Sequence, residues 1–368
     1  MKRLRRMVLY ALAALLLLCG IASLAAVLSN QTLPSPPSVT NQLSELDKVR
    51  LAETLHLRQQ LGEEVWSGWG TADIPIIIWN RDYSFLRGFG SQPPSWEVVP
   101  DDTFQGQPYW RQPTADSQNF AVEVDGRFVA SLATKWETDA FLIKQFQQNL
   151  PPVISTIFPY RLLIQPSETQ MTGVLHETFH VYQSQVAPNK LDAAEAAYGL
   201  ENRYWEVDEA MADDWAAELD LLANALAAQT DAEALTFIRQ FLTQRAERRQ
   251  NNQLDDDLIA FERQLEWEEG LAKYVELAMW QAANHLSTYE PLPEMTADPD
   301  FKQYQTFAQR WSQEIATMKR QAGEANVVRF YYTGMAQAML LDRVAPNWHE
   351  QIFAEDVWLE SLLQTAVP

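Results

Sequence analysis

His176-Glu177-Thr178-Phe179-His180 is the only place in the chain where two of the five histidines stand one helical turn apart. On a helix, residues i and i+4 share a face, so both imidazoles can bind one Zn2+ while Glu177 between them can polarise a water on the metal. The flanking residues favour that helix. Ser167, with Glu168 and Gln170 in the first turn, forms a start signal, and Met171, Val174, Leu175, Phe179 and Tyr182 supply an apolar face. The competing account of the same pattern is a buried amphipathic helix whose histidines are merely hydrogen-bonded.

Two histidines leave a catalytic zinc site incomplete, because such sites take three protein ligands and keep a fourth position for water. The sole cysteine, Cys19, lies in an N-terminal apolar run, so the remaining ligand must be His, Asp or Glu. His56, His285 and His349 sit in no informative pattern and read as surface or packing residues. After His180 the chain runs VYQSQVAPNK, with no closely following third histidine.

Two acidic placements remain. Glu209 lies in Asp208-Glu209-Ala210-Met211-Ala212-Asp213, an E-x-x-x-D order similar to thermolysin-type sites, in which the aspartate steadies a ligand histidine. The other is the run from Glu266 to Glu276. There Phe261, Leu265, Ala272, Val275 and Met279 form one apolar stripe at helical spacing, interrupted by Glu268 and flanked by Glu269 and Glu276. A carboxylate amid a buried stripe needs a cation or a hydrogen-bond partner, and the wheel leaves Glu268 and Glu269 undecided. Glu262, Glu266, Lys273 and Glu276 are expected on a solvated far side.

An H-E-x-x-H pattern followed by a helix reading E-G-L-A-x-Y, here Glu269 to Tyr274, resembles the gluzincin-type zinc metallopeptidases. The resemblance covers these two short motifs and the general plan of a small sheet beside helices, with a longer interval between the motifs than in the best-known members. It implies zinc on His176, His180 and Glu269, with Glu177 as general base. Tyr332, in the Arg329-Phe330-Tyr331-Tyr332-Thr333-Gly334 run, is the candidate donor to the oxyanion that forms on a scissile carbonyl.

The elements that must hold these residues follow from the rest of the chain. Lys2, Arg3, Arg5 and Arg6 precede an uncharged apolar stretch from Met7 to Leu28, long enough to span a bilayer. Residues 1–29 are therefore expected to be a membrane anchor with a cytoplasmic N-terminus and the remainder exported; a signal peptide cleaved after Ala25 is the alternative. Residues 30–42 read as a Pro/Ser-rich tether. Residues 43–166 form a small α/β subregion: a helix over 43–65, a strand over Ile74–Trp79, and a hairpin of Phe120–Val124 and Arg127–Thr134 around Asp125-Gly126. Residues 88–117 look like a long surface loop, 137–150 like a helix and Tyr160–Gln165 like a short strand. An edge strand here could hold an extended peptide.

Residues 167–368 form a helical zinc-site region, with helices expected over 202–228, 231–249, 255–286, 300–322, 327–344 and 348–365. Arg245, Arg248 and Arg249 are expected to complement a helix C-terminus.

The fold class is therefore α+β, predominantly α-helical, with a small N-terminal sheet packed beside a large helical region. The formal charge is -21, and without the four leading basic residues 24 Lys and Arg face 49 Asp and Glu, which argues against nucleic acid as a partner. No G-x-S-x-G and no cysteine in the folded part offer a nucleophile. The expected function is a membrane-tethered, extracytoplasmic zinc metallopeptidase acting on peptide or protein substrates, the alternative being a catalytically inactive zinc-binding surface or adaptor protein.

Overall fold

The computed structural model describes residues 2–115, 121–285 and 289–367. Its first helix, α1 (Lys2–Asn30), contains the one segment among the described residues long and apolar enough to cross a membrane, Tyr10–Asn30, with mean hydropathy 2.6. That length and composition fit either an anchor or a signal sequence. The segment after it is not a free spacer: the Pro34 carbonyl accepts from Trp136 Nε1 at 3.2 Å, and the Thr40 carbonyl accepts from Asn80 Nδ2 at 2.8 Å.

A six-stranded sheet follows, built from β1 (Ile76–Trp79), β2 (Tyr83–Arg87), β3 (Glu97–Val98), β4 (Trp110–Pro113), β5 (Val122–Val124) and β6 (Arg127–Ala133). Its order is β3-β4-β2-β1-β6-β5, antiparallel except where β1 and β6 run parallel. The continuous apolar run of β1 is explained by burial on both faces. Ile76 and Ile78 enter the main core with Phe85 and Ala130, whereas Ile77 joins Leu86, Trp96, Trp110 and Val129 in a smaller cluster on the other side.

The hairpin turns at Asp125 and Gly126, whose φ values of 48° and 76° suit the tight two-residue turn that D-G favours. The first residue expected in that hairpin, Phe120, lies outside the described residues, as do 116 and 117 of the expected loop. That loop in fact contributes β3 and β4, strands too short to show an alternating pattern amid Gly and Pro. The expected strand over Tyr160–Gln165 is instead a 3-10 turn, Tyr160–Leu163, entered directly from the short helix α4 (Pro152–Ile157), which follows α3 (Lys135–Asn149).

The helical region comprises α2 (Glu45–Val65), α5 (Ser167–Val186), α6 (Pro188–Ala197), α7 (Glu201–Asp208), α8 (Ala212–Ala227), α9 (Asp231–Asn251), α10 (Asp256–His285), α11 (Phe307–Arg320), α12 (Val328–Val344) and α13 (Leu359–Ala366). Two expected helices are broken: a 3-10 turn over Glu209–Met211 divides α7 from α8, and only 359–366 of the last remain α-helical. The helix expected from Asp300 begins at Phe307, because Gln303 and Tyr304 take φ of 54° and 58°, which no right-handed helix tolerates. Leu286, the expected end of α10, lies outside the described residues.

The centre of the fold is α10, packed against α2, α5, α6 and α12. Its stripe of Phe261, Leu265, Ala272, Val275 and Met279 is fully buried. Its far side is not solvated, contrary to the sequence expectation: Glu262, Glu266, Lys273 and Glu276 are buried too, because helices cover it all round. Their charges are met by partners on α9 and α11 and, for Lys273 and Glu276, by each other. Arg248 and Arg249 do stand in the last turn of α9, as expected, but with Arg245 they are buried, and the three supply the cations for Glu262 and Glu266.

Candidate metal centre

The H-E-x-x-H pattern lies in the middle of α5, a helix clamped at its start. Ser167 does not cap it; its hydroxyl donates to Asp298 Oδ2 at 2.7 Å, and Asp298 also takes a two-pronged bond from Arg50 at 2.6 and 2.9 Å. The buried Glu168 carboxylate accepts from the Lys302 and Tyr304 amides at 2.7 and 3.0 Å. One side of α5 rests on β6, where Gln170 Nε2 donates to the Ala133 carbonyl, and the opposite side meets α10.

That packing brings Glu269 to the two histidines. His176 Nε2 and His180 Nε2 lie 3.1 Å apart, and Glu269 Oε2 lies 3.3 Å from each. A tetrahedral zinc site with bonds of about 2.05 Å has ligand-to-ligand edges of about 3.3 Å. The three atoms therefore already outline one face of such a tetrahedron. All three residues are buried, and the group can hold a metal ion.

Each donor is oriented by a neighbour. His180 Nδ1 lies 2.9 Å from Gln183 Oε1, which fixes Nδ1 as the protonated nitrogen and leaves Nε2 free to ligate. Gln183 in turn donates to the Trp267 and Glu268 carbonyls at 3.0 and 3.2 Å, tying α5 to α10 beside the site. Glu269 Oε1 accepts from the Tyr198 hydroxyl at 3.0 Å. His176 Nδ1 faces Glu276 Oε2 at 3.8 Å, and Glu276 is itself held by Lys273 at 3.0 Å and Arg310 at 2.9 Å.

The cluster holds a buried charge pair. Burial alone would raise the Glu269 carboxyl and lower the His180 imidazole, but each outweighs that penalty for the other: Glu269 is held far below the usual carboxylate range, and His180 is pushed up to about 10. The two groups thus stabilise each other's charged forms across the cluster. Glu177, buried with Oε2 unpartnered, is pushed up to about 7 by that burial, against the pull of the two histidines.

Of the alternatives for the third ligand, Glu268 points away from the histidines. Glu268 is turned to Glu195, and burial with the adjacent Glu269 charge drives its carboxyl well up, toward the neutral form. Glu209 belongs to the 3-10 turn before α8, and its side chain lies outside the described part of the structure. The other histidines pack elsewhere: His56 against Tyr289, His285 against Phe307, and His349 between Trp66 and Trp348.

Tyr332 does not face the cluster. Its ring lies 5.9 Å from the Lys273 ammonium, and burial together with Glu314 raises its hydroxyl. Of the two adjacent tyrosines it is Tyr331 that lies at the site, stacked on the His176 ring at 5.8 Å and 11°, with a hydroxyl raised well above the ordinary by burial and by Glu269. A signal for this existed in the sequence: Tyr331 and Gly334 share a helix face, and a glycine marks the face where another backbone comes close. Gln183, three residues after His180, was readable in the same way, whereas Tyr198 carried no signal.

Two surface hollows of about 450 and 520 Å3 lie elsewhere, the first lined by His56, Arg58 and Arg87, the second by Trp79, Arg81 and Phe141. Donor chemistry, not concavity, marks the site. No family model, curated protein or solved structure matches the chain.

Proposed function

We propose that the protein is a zinc-dependent peptidase of gluzincin type, held at a membrane by α1 with its folded part outside the cytoplasm. The observation that carries this reading is the triangle of His176 Nε2, His180 Nε2 and Glu269 Oε2 with a buried, half-unpartnered Glu177 between the two histidines. A purely structural site has no use for a base there.

Zinc bound by these three residues would act as a Lewis acid and make water acidic enough to attack near neutral pH. Glu177 takes the attacking water's proton at its carboxylate and returns it to the leaving amine, so no covalent acyl-enzyme forms. Gln183 keeps His180 in the ligating tautomer, and Tyr198 turns the Glu269 carboxylate so that Oε2 faces the histidines. Tyr331, stacked on His176, would donate to the oxyanion of the scissile carbonyl, the role first given to Tyr332.

The test compares the full chain with Glu177→Gln and Glu269→Gln for zinc content and for hydrolysis of a peptide library. Glu177→Gln is expected to keep stoichiometric zinc and lose about 100- to 10,000-fold in kcat. Glu269→Gln is expected to lose more than about 100-fold in zinc affinity, beyond the cost of removing an outer partner. Stoichiometric zinc with no turnover in the parent would favour the inactive zinc-binding alternative, and unchanged zinc affinity in Glu269→Gln would remove that residue from the ligand set.

A further inference from the structure

The apolar side chains left exposed by the fold are concentrated in one place. Outside α1, six of the ten large exposed hydrophobics among the described residues are Phe141, Phe146, Val153, Ile154, Ile157 and Leu162, all on α3, α4 and the 3-10 turn that follows. Val153 and Leu162 are 76% and 75% exposed, as much as Tyr10, the most exposed of the large hydrophobics described on α1, at 74%. Soluble surfaces rarely keep so many large apolar groups together without a partner.

The chemistry of the segment points to which partner. From residue 140 to 167 the chain has no Asp or Glu, in a protein with 49 of them, while Lys144 and Arg161 stand exposed among the apolar groups. The only longer acid-free stretch runs from the N-terminus to Ser44 and includes α1. The fold joins the two. Asn30, the last residue of α1, donates through Nδ2 to the Phe158 carbonyl at 2.8 Å and accepts from the Tyr160 amide at 2.9 Å. Arg161 then donates to the Thr32 carbonyl at 2.9 Å, and Phe158 packs on Phe146 at 5.1 Å.

We propose that α3, α4 and the Tyr160–Leu163 turn form a platform seated in the headgroup and acyl boundary of the bilayer that α1 crosses; this rests on α1 being a retained anchor. The exposed Phe, Val, Ile and Leu side chains enter the apolar boundary, and Lys144 and Arg161 meet lipid phosphates. Acidic groups, abundant elsewhere, are confined to the start of α3, where Glu137 pairs with Arg81 and the buried Asp139 with Lys135, and are missing from the rest of the platform, where an anionic surface would repel them. Two attachments, helix and platform, fix how the body sits on the membrane, where a flexible tether alone would leave it free to turn.

The experiment uses the full chain in vesicles of phosphatidylcholine and phosphatidylglycerol at three to one, with an environment-sensitive fluorophore on single cysteines. Cys19, the native cysteine, reports on α1; Val153→Cys and Leu162→Cys, in a Cys19→Ser background, report on the platform; Thr236→Cys on the exposed side of α9 is the aqueous control. All replaced platform and control side chains are exposed, so folding is not at stake. The expected result is blue-shifted emission at 153 and 162 with at least about a twofold loss to lipid-borne quenchers, and none at 236. Reporters at 153 and 162 that behave like 236 while Cys19 is quenched would overturn the platform and leave the anchor standing. Unquenched reporters at Cys19 and all other positions would overturn the anchor and the platform with it.

Discussion

Glu177 and Glu269 share one cluster yet are held in opposite states: burial pushes Glu177 up to about 7, and the bonded histidines hold Glu269 far down. In the proposed mechanism that divergence fits Glu177 as the proton carrier and Glu269 as the ligand. Residue types and spacing made His176, His180 and Glu177 legible, because one helical turn decides that face. The motif chose Glu269 over Glu268, and of these two it is the Glu269 oxygen that lies 3.3 Å from both histidines. The tyrosine was a question of helical phase. Tyr331→Phe is expected to lower kcat about 100-fold with zinc content unchanged, and Tyr332→Phe to leave kcat alone. The reverse order in steady-state kinetics would return the oxyanion role to Tyr332.

At the scale of elements, the site depends on how closely α10 and α12 approach. A Cβ on Gly270 would run into the Gly334 backbone, and a Cβ on Gly334 into the Glu266 carbonyl. The glycine beside Glu269 thus allows the crossing that lays Tyr331 on His176. Gly334→Ala is expected to destabilise by about 3 kcal/mol, as backbone overpacking does, and to loosen the site with it. Denaturant titration checks the first effect; a midpoint equal to the parent's would mean the helices separate at no cost. The E-G pair was visible in sequence, but its partner on α12 was not, because nothing local marks which distant glycine faces it.

Across the whole molecule, charge has been drawn inside. Arg245, Arg248, Arg249 and Arg263 pair with Glu218, Glu262, Glu266 and Glu360, four cations with four anions, and so join α8, α9, α10 and α13. Such a network is costly to desolvate and severe to break, and it favours one register of the helices over others. Against the penalty of burial, Arg249 and Arg245 hold Glu360 at about 2, below the value of about 4.3 for an unfolded chain. A depressed carboxyl contributes stability that is full above the unfolded pKa and lost as pH falls through the folded one. Glu360→Gln is therefore expected to cost about 3 to 5 kcal/mol at neutral pH, and its deficit to close as pH falls from about 4.3 toward 2. Denaturation midpoints measured across pH check this, and a deficit constant down to pH 2 would contradict it. Asp139 and Glu168, held up by burial, contribute with the opposite sign: their penalty develops as pH rises out of the ordinary carboxyl range and persists above it.

By itself the sequence determined the α+β class, the long apolar N-terminal segment, the D-G hairpin, the apolar stripe of α10 and the histidine pair. All of these are set by local period or composition over a few turns of chain. Only the tertiary structure decided that Glu269 meets the histidines across α5 and α10, that Tyr331 and not Tyr332 stacks there, that the arginines of α9 are buried, and that the two acid-free stretches meet. Each of these depends on which faces of distant helices come together, and a side chain's burial is settled by what covers it, not by its own polarity.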